Sequence, residues 1–101
     1  MAPRLFAVIN ERGPHWDHDK PMEEHADWRA HAYFMNGLVA EGFVLLGGPL
    51  EGTHDVLLIV RGESVDDVER RLAADVWVEK GLLRQRQITP WWVRLSAFDA
   101  T

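Results

Sequence analysis

His31–Leu50 reads HAYFMNGLVAEGFVLLGGPL, and its two halves obey different periodicities. Trp28, His31, Met35 and Leu38 follow one another at intervals of three and four residues, with Ala32, Phe34 and Val39 widening the stripe. That is the apolar face of an amphipathic helix. Gly42 ends it, because glycine takes the left-handed conformation of a helix C-terminus without steric cost. Phe43–Leu46 is then a short apolar run of strand length, closed by Gly47, Gly48 and Pro49. Gly37 falls inside the helix, where it costs about 1 kcal/mol against alanine, and a close approach to the sheet is expected there.

Working upstream, Leu5–Ile9 is a continuous apolar run rich in strand formers, which predicts a first strand over residues 3–10. Glu11–Pro21 (ERGPHWDHDKP) is charged and broken by two prolines, so it reads as a long loop, a candidate lid. Trp16 is its one large apolar side chain, either a plug that docks the loop or a piece of pocket wall. From Pro21 the pattern turns helical, with proline tolerated in the first turn and Glu23 and Glu24 favouring the positive end of the dipole.

Downstream, Glu51–His54 is a polar turn and Val56–Val60 a third apolar strand. Ser64 and Asp67 form a capping box, and Val65, Val68 and Leu72 the buried stripe of a second helix. Asp75–Lys80 reads as a short helical turn stopped by Gly81. The last strand, about Leu82–Leu95, is more polar, and Pro90 demands an edge position or a bulge.

Strand, helix, strand, strand, helix, strand predicts one α+β domain over residues 1–101. The expected form is a ferredoxin-like βαββαβ antiparallel sheet with both helices on one face. A half-solvated sheet alternates apolar and polar residues, whereas Leu5–Ile9, Phe43–Leu46 and Val56–Val60 do not. Two helices cover one face only. A second copy covering the other implies a homodimer with its sheets face to face.

A formal charge of -5 argues against nucleic acid as a partner. The absence of cysteine excludes disulfides, thiolate metal sites and a cysteine nucleophile. No apolar run approaches the ~18 residues of a membrane span, and the start MAPRLFAVIN has no signal-peptide pattern, so a cytoplasmic protein is expected. Ser64 reads as a cap and Ser96 falls in the tail, and no G-x-S-x-G elbow is present. His15 and His18 cluster with Asp17 and Asp19 in the loop, without a rigid scaffold to hold an ion. His25 and His31 lie six residues apart, on different sides of a helix. No metal and no cofactor is expected.

His31 stands where apolar packing would prefer leucine. It is either an inert core histidine or an acid/base, since imidazole titrates near neutrality. Asp75 is either the N-cap of its short helix or a partner that fixes a histidine tautomer. Trp16, Trp28, Phe34 and Trp77 are candidate walls for a flat ligand, although helix-spaced Trp28 and Phe34 also suit plain core. Arg12 is either a solvated charge or a partner for an anionic group.

These motifs resemble the YciI-like proteins. HAYFMNGLVAEGFVLLGGPL carries that family's helix histidine, a helix-ending glycine eleven residues later and a GPL-type turn. LAADVWVEKGLL resembles its aspartate-containing stretch, and ITPWWV its ending. Val76 departs from the proline that usually follows the aspartate. The resemblance implies a dimeric α+β barrel and a catalytic His31–Asp75 pair. It implies small-molecule chemistry of lyase or isomerase type, by proton transfer or elimination on breakdown intermediates of aromatic compounds. Arg12, Trp16, Trp28 and Trp77 are the candidate residues for binding such an aromatic ligand. Related domains joined to regulatory proteins imply the alternative, a non-catalytic metabolite-binding module.

Overall fold

A computed structural model describes residues 4–98. Along them run β1 (Arg4–Arg12), α1 (Trp28–Ala40), β2 (Val44–Pro49), β3 (Asp55–Gly62), α2 (Val65–Leu72), α3 (Val76–Glu79) and β4 (Leu83–Trp91). The strand order is β2-β3-β1-β4, with every neighbouring pair antiparallel. The most apolar strands, β1 and β3, therefore take the centre. Pro90 sits on the edge strand β4, where its missing N–H leaves the interior ladder intact. A bulge opposite Ile9 and Asn10 re-registers β4 against β1. Pro3, expected to begin β1, lies outside the described residues.

Phe6 pairs with Val60 and Val8 with Leu58 across β1 and β3. These four pack in one core with Leu38 of α1 and Val68 and Leu72 of α2. Both helices thus cover the same sheet face. Leu5, Ala7 and Ile9 alternate onto the opposite face with Leu57 and Ile59 of β3, all half-buried. Leu46, paired with Ile59, is 59% exposed there.

The end of α1 follows from its sequence. Gly42 has φ +78, its N–H bonds the Val39 carbonyl, and the Phe43 N–H bonds that of Leu38. This double bond is the Schellman closure, completed by packing of Phe43 with Leu38 in the core. Ser64 caps α2 by accepting from the Asp67 N–H at 3.0 Å.

Several expectations need correction. The helix does not start at Pro21: Met22–Glu24 is a separate 3-10 turn, and α1 begins at Trp28. Asp27 breaks the path with φ 62, its carboxylate pairing with Lys80 at 2.7 Å instead of capping α1. A Cβ on Gly37 would meet open space, so no close approach occurs there. Val65 is exposed, leaving Val68 and Leu72 as the buried pair of α2. The last strand ends at Trp91.

The loop is also shorter and better anchored than a lid, because β1 runs on to Arg12. Gly13 and His15 donate backbone N–H groups to Leu82 and Gly81 at 2.8 and 3.2 Å. A Cβ on Gly13 would collide with the Gly81 carbonyl, so only glycine permits this approach. Trp16 is 8% exposed and packs with Trp77, Leu82 and Leu83. His25 stacks on it at 3.8 Å. The His25 ring spans the loop, with Nδ1–H donating to the Pro21 carbonyl and Nε2 accepting from the Asp17 N–H.

Candidate functional site

His31 lies in the first turn of α1, and three bonds hold α3 beside that turn. Lys80 reaches Asp27, the Trp77 indole Nε1–H donates to the Ala26 carbonyl at 2.7 Å, and His31 meets Asp75. The His31 Nδ1–H donates to both Asp75 oxygens, at 2.9 and 2.8 Å. Asp75 caps α3 at the same time, its Oδ1 accepting from the Trp77 N–H at 3.1 Å. Cap and histidine partner were competing readings of the sequence. The carboxylate has lone pairs for both.

Trp77 completes the support. It is 1% exposed, and its indole stacks under the His31 imidazole at 3.9 Å with 9° between the planes. Trp16 meets the same indole edge-on at 5.3 Å. Asp75 is 2% exposed, so its negative charge is shielded from water and directed onto one imidazole. With Nδ1 committed to a carboxylate, the neutral ring keeps its lone pair on Nε2, which makes no hydrogen bond among the described residues.

His31, Asp75 and Trp77 line a cavity of about 220 Å³ between α1 and the sheet. Its walls are largely apolar, from Met22, Met35, Val44, Val56, Leu58 and Leu83. Gly47 and Gly48 form its rim on β2; a Cβ on Gly47 would meet the Leu58 side chain. Of the expected ligand-binding residues, Arg12, Trp16 and Trp77 reach the cavity. Trp28 does not; it packs behind Trp77 at 5.8 Å. Phe34 packs against the main core.

Comparison of the chain with models of known families, with curated proteins and with solved structures returns no match.

Asn10 is a buried polar cavity residue that sequence reasoning missed. It is 4% exposed, and its Oδ1 has no hydrogen-bond partner among the described residues. A signal was present: Phe6, Val8, Asn10 and Arg12 share one parity on β1, so a polar side chain stands at a core-facing position. Among the described residues no three His, Asp or Glu side chains converge as a metal site; His18 of the loop meets His54 ring to ring at 4.4 Å. No helix among them is long and apolar enough to cross a membrane.

Proposed function

We propose that this protein is a small-molecule enzyme of lyase or isomerase type, with His31 as acid/base and Asp75 as its orienting partner. The supporting observation is the bidentate Asp75–His31 contact at 2.8 and 2.9 Å, with the other ring nitrogen left free in a cavity. In the proposed step, Nε2 removes a proton from a carbon beside a carbonyl, or from a hydroxyl. The bond electrons move into a new double bond or onto oxygen. The imidazolium that forms is stabilised by the buried carboxylate. Return of the proton to another atom completes an isomerisation; departure of a leaving group with the electron pair completes an elimination.

The reading includes membership of the YciI-like family, on the motifs around His31, Asp75 and ITPWWV. It takes the order β4-β1-β3-β2 with helices on one face as ferredoxin-like. It also includes a homodimer of dimeric α+β barrel type in the cytoplasm. The partner is a second copy because the open face of Leu5, Ala7, Ile9, Leu57 and Ile59 is apolar, and a two-fold contact buries the same face of both copies. Exposed Trp91 at the end of β4, and Trp92, Leu95 and Phe98 beyond it, add apolar area to bury.

Ring ¹⁵N NMR of His31 tests the acid/base reading. A neutral ring protonated on Nδ1 is expected. A ring protonated on Nε2 overturns it, because the nitrogen facing the cavity would then carry no lone pair.

A further inference from the structure

Besides Asn36, which is exposed, the cavity is lined by two polar side chains that the proton-transfer step does not use. Asn10 contributes a buried, partnerless Oδ1. Arg12 contributes a guanidinium whose Nε is buried and also partnerless among the described residues. The neighbouring arginines differ. Arg84 is bonded to Glu11, and Arg86 to Asp55 at 2.8 Å. Arg12 has no ion pair among the described residues, and its guanidinium carbon sits 4.7 Å over the Trp16 ring. The one carboxylate lining the cavity, Asp75, is already engaged by His31 and the Trp77 N–H. Arg12 is half-buried, and its buried Nε lacks a partner among the described residues that a bound anion would supply.

We infer that the cavity takes a small, flat, hydroxylated carboxylic acid, its carboxylate on Arg12 and its hydroxyl on Asn10. The assignment deepens the proposed function by naming the substrate class, and rests on it only in placing His31 in the same cavity. Arg12 is suited to the carboxylate because its fork of N–H donors matches two oxygens at once. Asn10 Oδ1 needs a donor, which a hydroxyl supplies and a hydrocarbon does not. The two residues stand two apart on one strand face, about 6.8 Å along the chain. A six-membered ring with polar groups at opposite ends spans that gap. Size agrees: apolar cavities of about 150 Å³ already admit a benzene ring, and this one is about 220 Å³. The aromatic wall of Trp16 and Trp77 and the apolar side chains from β2, β3 and α1 match the body of such a molecule.

The probes are 4-hydroxybenzoate, its uncharged methyl ester, and benzoate, titrated by NMR and calorimetry. The acid is expected to bind at least about tenfold more tightly than the ester, the worth of one charge-assisted hydrogen bond. Arg12→Gln should erase that preference, and Arg12→Lys should restore part of it. Asn10→Leu should erase the advantage of 4-hydroxybenzoate over benzoate. Backbone NMR spectra confirm that each variant is folded. Equal binding of acid and ester, unchanged acid binding in Arg12→Gln, or no saturable binding at millimolar concentration would each overturn the inference. His31→Gln is expected to keep the acid preference, so the ligand class stands or falls separately from the proton-transfer reading, which the ring tautomer decides.

Discussion

Asp75→Asn separates the two tasks of one carboxylate. Asparagine ranks with aspartate as an N-cap, so its Oδ1 can keep accepting from the Trp77 N–H, now 3.1 Å away. Its amide nitrogen then faces His31 Nδ1, where the parent has an acceptor at 2.8 Å. An NH₂ group can only donate. The imidazole loses its acceptor at the Oδ2 position and keeps only a neutral Oδ1, which lies 2.9 Å from Nδ1 and is shared with the Trp77 N–H. A hydrogen bond to a charged group contributes about 1.5–3 kcal/mol and a neutral one about 0.5–1.5, so the exchange should cost about 1–2 kcal/mol. For a domain of this size that lowers Tm by about 5–15 °C. Asp75→Ala removes the cap as well and leaves two buried donors unpaired, for a loss of about 3–5 kcal/mol. Urea unfolding followed by tryptophan fluorescence gives the energies. If Asp75→Asn stayed within about 0.5 kcal/mol of the parent, the pair would not be coupled and the reasoning would fail.

Trp16→Ala should lower global stability by about 3 kcal/mol or more, because this loop residue is 8% exposed and packed on Trp77; a loss below about 1 kcal/mol in urea unfolding would return it to the role of a dispensable plug. Asn10→Leu should stabilise the ligand-free protein by about 1 kcal/mol, since it removes a buried acceptor without a partner; a loss of several degrees in Tm would show instead that Asn10 is a structural hydrogen-bonding residue. The parent chain, of 11.6 kDa, should sediment at micromolar concentration as a species of twice that mass. Ile59→Glu, at the centre of the open sheet face, should halve it; a folded monomeric parent would remove the sheet-to-sheet assembly.

What the sequence determined by itself is the local part. Helix α1 was legible because the three-and-four spacing from Trp28 to Leu38 and the left-handed glycine at Gly42 are local requirements of backbone geometry. The Ser64 cap and the edge position of Pro90 were legible for the same reason. So was the placing of His31 on an inward face, since a helix repeats its own register. The tertiary structure alone decided which of several locally allowed roles each residue takes. Asp75 became both cap and histidine partner because a residue 44 positions away arrives within hydrogen-bonding distance. Trp16 became core because Gly13 lets the loop pass against Gly81, a contact between segments that share no local pattern. Asn10 and Arg12 point into the cavity because β1 carries them on the same parity as Phe6 and Val8. Strand parity shows that they share a face. That the face borders a cavity, with no side chain among the described residues bonded to Asn10 Oδ1 or Arg12 Nε, follows only from the packing of α1, α3 and β2 around it.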